Sequence, residues 1–342
     1  MSARDNYRVF RATRASRVAA VLGLAVLVLL FAAPWWAGRA ELRLLGEIFL
    51  YLSLAMLWNL LAGYAGFVSV GQQAYVGLGG YLLFALTIFL GLHPVAAIAA
   101  AGLAGALVAM PVALLIFRLR GAYFAIGTWV IAEVFRLGFA QLGALGGGSG
   151  ISLPVDAARS LAEGRDAREA VSYWLTLGVA TAVITIACLF LRSRRGLALT
   201  AIRDNELAAG SLGIDIWRTK FLVYVIVGGL TTLVGALIFL QKLRISPEAA
   251  FSVNDWTAFV IFIVVIGGIG SLEGPFVGTI VYFLLREMLA DLGAAYLIVL
   301  GAVAIAVMLV APKGLWGLVR DSTGLRLFPL GYRTEPKEKK GA

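Results

Sequence analysis

The apolar runs in this chain are too long for a water-soluble fold. Residues 94–117 and 221–241 each pass without one charged side chain. A surface helix of a globular protein keeps an apolar stripe and a polar face; these segments are apolar all round. Crossing a bilayer as a helix takes about 20 such residues. Only helices and closed barrels satisfy every backbone group in lipid. Barrel strands alternate apolar and polar residues over about ten positions, and no such alternation occurs here. The chain therefore reads as all-α, a polytopic transmembrane helical bundle. Its expected spans are 18–38, 45–62, 74–92, 94–117, 122–142, 171–191, 221–241, 256–269, 275–291 and 294–311, about ten in all at roughly 20 residues each. Only His93-Pro94, a turn signal, parts the third from the fourth.

Composition closes off other classes. Hydrophobic residues make up 61% and charged residues 14%, against about 25% charged in soluble domains. A soluble enzyme, a disordered chain and a disulfide scaffold are excluded. One cysteine, Cys188, and one histidine, His93, leave no internal disulfide and no Cys- or His-based metal site. The first apolar segment follows a basic stretch, as in a signal peptide. Its run is long, however, and Pro34-Trp35-Trp36 is no small-residue cleavage site. It reads as a retained anchor with tryptophans at the membrane interface.

A net charge of +10 invites a nucleic-acid reading, but the positions of the charges argue against it. With the N-terminus inside, 20 of the 29 Lys and Arg fall on the inner side: in both tails, at Arg118 and Arg120, and across 192–220. Seven fall outside, and Arg136 and Arg286 lie within spans. This is the positive-inside bias. An even span count independently puts both basic tails on one side. Residues 1–17 and 312–342 are thus expected to be cytoplasmic tails flanking a single bundle domain over 18–311. No nucleic-acid partner is expected; the bilayer is.

Four stretches stand out. Residues 59–81 carry Asn59, Gly63, Gly66, Ser69, Gly71, Gln72 and Gln73 between two spans. Glycine costs about 1 kcal/mol in a helix interior, so the cluster marks unwound backbone or close helix contact. The polar groups either line a solute path or belong to a plain turn. Residues 265–278 include Gly267, Gly270, Gly274, Pro275 and Gly278. The small-xxx-small spacing lets helix backbones approach, and Pro275 suits a first helical turn. The inner stretch 192–220 is too polar to span; one or two short helices under the membrane fit it, with Gly213 as a stop signal. On the fifth span, Glu133 and Arg136 share a helix face, with Thr128 one turn before. A charge at the bilayer centre costs about 2.5–3.5 kcal/mol, so this pair lines a polar path or braces the bundle. Glu133 is the only acid read at mid-membrane depth, which argues against a proton- or sodium-coupled carrier. The outer segment 143–170 opens on a glycine-rich run, and a short helix is expected to follow up to Ala170. No G-x-x-x-x-G-K-[ST] run occurs, so ATP binding through a P-loop is not expected.

At these residues the sequence resembles the permease subunit of bacterial ABC importers for branched-chain amino acids. The likeness covers roughly 45–316 and rests on four ordered motifs: 59–81, 123–136 with 146–154, 201–215 and 265–278. The run Gly71-Gln72-Gln73-Ala74 departs from the Gly-His-Ala run that the family shows, so no histidine role carries over. The resemblance implies an inner-membrane permease that takes up solute by alternating access. Its partners would be a second homologous permease, two cytoplasmic ATP-binding subunits and a periplasmic solute-binding protein. This chain would bind no cofactor, ATP and Mg being used by the partner subunits. Residues 201–215 match the family's coupling region, with Arg203, Asp204, Asn205, Glu206, Ala208, Ala209 and Gly213 as its contact residues. A permease of the same superfamily for urea or short-chain amides is the nearest alternative. An ATP-independent channel or carrier and an intramembrane enzyme are more distant ones.

Overall fold

The structure is a computed structural model and describes residues 7–10, 14–325, 327–328 and 333–336. The tail residues Arg4, Arg11, Arg326, Lys337, Lys339 and Lys340 lie outside them. The described chain is nearly all helix. A short strand, β1 (Tyr7–Phe10), precedes α1 (Arg14–Phe31), which is exposed along almost its whole length. After a 3-10 turn follows α2 (Arg39–Asn59), the centre of the molecule. A π-helical turn, Leu60–Tyr64, and a non-helical stretch lead into α3 (Gln72–Leu90) and α4 (Pro94–Ile116). His93 caps α4, accepting from the Val95 N–H, and its other ring nitrogen lies 3.1 Å from the Ser160 carbonyl. Next comes α5 (Ala122–Ala140).

The segment after α5 holds β2 (Ile151–Ser152) and α6 (Val155–Arg159). The expected helix up to Ala170 is cut short: α6 ends at Arg159, and the long α7 (Arg165–Arg192) already begins at Arg165. Two short helices follow, α8 (Arg194–Asp204) and α9 (Glu206–Ser211), then α10 (Ile216–Lys242) and β3 (Arg244–Ile245). The chain continues through α11 (Pro247–Ala250), a π turn at Asn254–Ala258, α12 (Phe259–Gly267) and α13 (Gly274–Met288). It ends with α14 (Tyr296–Val310), α15 (Gly314–Thr323) and β4 (Arg333–Pro336).

Among the described residues, nine helical stretches are long and apolar enough to cross a membrane. They match nine of the ten expected segments. The tenth, α13, has 15 residues, about 22 Å at 1.5 Å per residue, short of the roughly 30 Å hydrocarbon core. It runs along α2 all the same. Ser271, just before α13, accepts from Asn59 at the end of α2, and Arg286, near the far end of α13, bonds Glu47 near the middle of α2. The glycine-rich break at 268–273 therefore starts this helix beside the end of α2.

Close helix approach holds the bundle. α10 packs on α3 and α4. A Cβ at Gly79 would overlap the Thr232 carbonyl, and one at Gly235 would overlap the Val76 carbonyl. α2 packs on α7, α12 and α13. The connections sort onto two faces. β1 pairs antiparallel with β4, which brings residues 7–10 and 333–336 together. Residues 193–215 and the 268–273 break join them on this basic face. On the opposite face β2 pairs with β3, and Arg39 and Arg43 bond Asp166 and Glu169. There the Trp35 and Trp174 rings pack at a tilt of 51°, with centroids 5.7 Å apart.

Candidate functional site

The stretch 192–220 forms two helices split at Asn205, whose extended backbone (φ −158°, ψ 107°) ends α8 and starts α9. The Asn205 side chain accepts from the Ala208 N–H at 3.0 Å, which caps α9. Gly213 closes the unit in a left-handed conformation, φ +81°, a region that side-chain-bearing residues avoid. Glu206 bonds Lys220 at 2.9 Å and Arg203 bonds Asp204 at 2.8 Å. Ala209 is buried against the body of the protein, while Ala208 faces out. Two leucines beside them are strongly exposed, Leu207 at 86% and Leu212 at 81%. Their apolar character gave no signal in sequence, because leucine in a membrane protein is the default.

Arg203 ties this unit to the membrane helices. Its Nη1 donates to the Gly63 carbonyl at 2.7 Å, within the π turn that ends α2. One turn earlier, Asn59 is fully buried. Its Nδ2 donates to the Ser271 carbonyl at 2.7 Å, and its Oδ1 accepts from the Gly270 N–H at 2.8 Å. Both partners lie in the break between α12 and α13. A buried amide with both ends paired fixes a single geometry. Across the same break, Cβ atoms at Gly267 and Gly274 would overlap the Gly274 and Gly268 carbonyls, and one at Gly278 the Ile263 carbonyl. Pro275 occupies the first turn of α13. Glu273 accepts from the Leu327 and Phe328 N–H groups at 3.0 and 3.1 Å, which holds the segment after α15 to the same place. Thus Arg203, Gly63, Asn59, Gly270, Gly274 and Gly278 meet in one junction on the basic face.

Ser69, Gln72 and Thr128 pin the turn between α2 and α3. The Ser69 carbonyl accepts from Trp58, Thr128 Oγ1 accepts from the Val70 N–H, and Gln72 Nε2 donates to the Leu54 carbonyl. Gly66 takes a positive φ of +75° beside Arg203, and Gly71 lies against the Thr128 backbone. Gln73 accepts from Thr257 on the turn before α12. Ser69 and Gln72 also line a small internal pocket of about 20 Å³ with Tyr75, Tyr224 and Thr231. Glu133 and Arg136 bond each other at 2.9 Å on α5 and are half-exposed; neither lines this small pocket or the larger cavity of the opposite face.

A larger cavity of about 750 Å³ opens on the opposite face, between α2, α7, α10, α12 and α13. Its polar lining, including Glu47, Lys242, Asp255 and Arg286, is where sequence reasoning fell short. Glu47 lies on α2 and Asp255 on the turn before α12, both within helical stretches of spanning length. The partners of Arg286 and Glu47 are far apart in sequence, so nothing local signals the pair.

Comparison with known proteins bears on what this arrangement serves. The family profile described as branched-chain amino acid transport system / permease component matches residues 41–311. The high-affinity branched-chain amino acid transport system permease protein LivM of Escherichia coli (strain K12) is 29% identical over 332 residues, covering 89% of this chain and 76% of the relative. LivM of Salmonella typhimurium is 26% identical over 325 residues with the same coverage. A probable LivM of Methanocaldococcus jannaschii is 26% identical over 278 residues, covering 70% of this chain and 78% of the relative. No solved structure gives a significant match.

Proposed function

This multi-pass membrane protein belongs to the family of branched-chain amino acid transport permease components, and from that premise we propose that it is a membrane subunit of an ATP-driven importer for branched-chain amino acids. The basic face is cytoplasmic and the cavity faces the periplasm, in a bacterial inner membrane. Two ATP-binding subunits dock on α8 and α9, where the exposed Leu207 and Leu212 offer apolar contact. A second homologous permease completes the membrane part, and a periplasmic binding protein delivers the solute.

The observation that carries this reading is the Arg203–Gly63 hydrogen bond. Closure of the ATP-binding subunits displaces α8 and α9. Arg203 passes that displacement to the π turn of α2, and Asn59 passes it to the α12–α13 break. Glycines on both sides of the break keep backbones in contact, so the helices shift as a unit and change access between the faces. Interfaces of this kind hold discrete arrangements rather than deforming continuously.

The test is purification of the tagged chain from its native host, followed by reconstitution. ATP-binding subunits should co-purify, and proteoliposomes should take up L-leucine, L-isoleucine and L-valine only with ATP and the binding protein. Uptake of urea or acetamide in their place would transfer the chain to another substrate class. Uptake without ATP would end the importer reading.

A further inference from the structure

The small internal pocket behind the turn between α2 and α3 is faced by two side-chain oxygens that nothing in the protein bonds. Gln72, the first residue of α3, is 6% exposed, and Thr231, near the middle of α10, is 1% exposed. Both line the pocket. Among the described residues, Gln72 Oε1 and Thr231 Oγ1 have no hydrogen-bond partner. The orientation of the Gln72 amide is fixed, because its Nε2 donates to the Leu54 carbonyl at 3.0 Å. A flipped amide would set oxygen against oxygen there, so Oε1 points the other way.

Thr231 departs from its own kind. A threonine inside a helix can donate to the carbonyl four residues back. Thr87, Thr232 and Thr279 do so, to Leu83, Gly228 and Pro275. Thr128 and Thr176 reach the carbonyl three residues back, and Thr257 donates to Gln73. Among the buried threonines of the described residues, Thr231 alone has no such bond. Two tyrosines line the same pocket, and Tyr75 donates to the Tyr224 hydroxyl at 3.1 Å. Two hydroxyls carry two protons and this bond uses one, so the pair has a proton still to give. Buried polar groups pair with protein or with ordered water.

Size and chemistry together select the ligand. The pocket measures about 20 Å³. One water molecule needs roughly 10–15 Å³ measured in this way and two to four polar partners, whereas small-molecule sites run to about 300–1,000 Å³. We infer that the pocket binds one ordered water molecule, which donates to Gln72 Oε1 and accepts from Thr231 Oγ1, with the remaining proton of the tyrosine pair as its third contact. Through Gln72 this water joins α10 to α3 and, by the Leu54 bond, to α2. The glycine contacts between α3 and α10 bring the two backbones together without fixing direction; the water adds a directional polar link between them. The site is a property of this chain and does not depend on which solute the protein moves.

The experiment combines cryo-electron microscopy of the wild-type protein in lipid nanodiscs, at a resolution that shows ordered water, with X-ray hydroxyl-radical footprinting. X-rays split a held water in place, and the radical oxidises the side chains beside it. Density should appear between Gln72 Oε1 and Thr231 Oγ1. Tyr75 and Tyr224 should be oxidised at least fivefold faster than Phe84, which is buried away from the pocket. In the double variant Gln72→Leu/Thr231→Val the lining loses both bonding oxygens and should stay dry. Oxidation of both tyrosines should then fall at least fivefold, while exposed Tyr123 keeps its rate and reports an intact fold. Absence of density in wild type, a Gln72 side chain turned to bond Thr231 directly, or tyrosine oxidation as slow as that of Phe84 would each overturn the assignment. Undiminished tyrosine oxidation in the folded double variant would overturn it as well. If the double variant does not fold, the wild-type density and rates decide alone.

Discussion

Arg203 and Gly63, 140 positions apart in sequence, are joined by a 2.7 Å hydrogen bond from the guanidinium to the backbone carbonyl. The carbonyl is available because Gly63 lies in the last turn before the helix ends at Ala65, where carbonyls have no intrahelical partner. A bond to a charged donor contributes about 1.5–3 kcal/mol net, enough to carry a displacement from a peripheral helix to a central one. Replacing Arg203 with Ala should leave membrane insertion intact and recruitment of ATP-binding subunits largely so, since its guanidinium turns inward to Gly63 and not outward as the coupling-region resemblance implies. Transport should fall at least fivefold while ATP hydrolysis continues. Parallel assays of hydrolysis and L-leucine uptake in proteoliposomes check this; proportional change in both would deny Arg203 a transmitting role.

Leu207 and Leu212 lie exposed on and just after α9, with Gly213 beyond them. Leu207→Asp and Leu212→Asp should each cut co-purification of ATP-binding subunits severalfold, because they place a charge in an apolar contact. Gly213→Glu acts differently. No atom lies near its Cβ position, so no clash arises, and the cost is the positive φ, about 1–2 kcal/mol for a residue with a side chain. It should loosen α9 without blocking the surface, giving a milder loss of recruitment. Equal recruitment in all three variants and wild type would make α8 and α9 a plain connector.

How much of this was legible in sequence depends on the range of the interaction concerned. Span positions follow from local hydropathy: α3, α4 and α5 sit close to their expected limits, while α7 and α10 begin six and five residues earlier, through polar turns outside the apolar run. Gly213 as a stop and the glycine spacing at 270, 274 and 278 are also local signals. The π turn at Leu60–Tyr64 was not legible, since its residues suit an ordinary helix and the surroundings impose the change. Asn59 read as polar lining, yet its amide joins α2 to Gly270 and Ser271. Asp255 falls one residue before the expected eighth span because the helix there begins earlier, in the π turn at Asn254–Ala258, than the apolar run that marks it. The split at Asn205 was open between one helix and two; an Asx cap on Ala208 decides it.

Gly267 and Gly278 are the contact points between α12 and α13. Alanine at either should force the helices apart, since the overlap is with backbone carbonyls that cannot swing away. Overpacking of this kind costs typically about 1–3 kcal/mol, and it should appear as a lower unfolding temperature in detergent and a lower yield in membranes. Gly301 on α14 is the control, with nothing within 4 Å of its Cβ position. Gly301→Ala should be neutral or slightly stabilising. Equal behaviour of Gly301→Ala and Gly278→Ala would mean the close approach is not needed.

Sidedness can be read by labelling single cysteines in a Cys188→Ser background. Ser211 lies on α9 and Ser160 just beyond α6, on opposite faces of the bundle. In intact cells an impermeant maleimide should modify Ser160→Cys and spare Ser211→Cys, which should react only after permeabilisation. Modification of Ser211→Cys in intact cells would invert the orientation and move the cavity to the cytoplasm.

Glu133 and Arg136 present the last expectation. The pair sits on α5, bonded through Nε to both carboxylate oxygens at 3.0 and 2.9 Å. Glu133 is 45% and Arg136 35% exposed, and the position on a helix of spanning length points to lipid or another subunit as the pair's surroundings under the importer reading. In either setting an unpaired charge is poorly solvated, and breaking a pair that has lost its water costs about 3–5 kcal/mol, less where water still reaches it. Glu133→Gln and Arg136→Gln should therefore each reduce assembly of the complex. The double variant, which leaves no lone charge, should recover part of the loss. Assembly is read by size-exclusion chromatography of solubilised membranes, and wild-type assembly in both single variants would show that the pair faces water. Failure of the double variant to recover while the singles are impaired would instead mean that the charges themselves, not their mutual neutralisation, are what a neighbouring subunit recognises on α5.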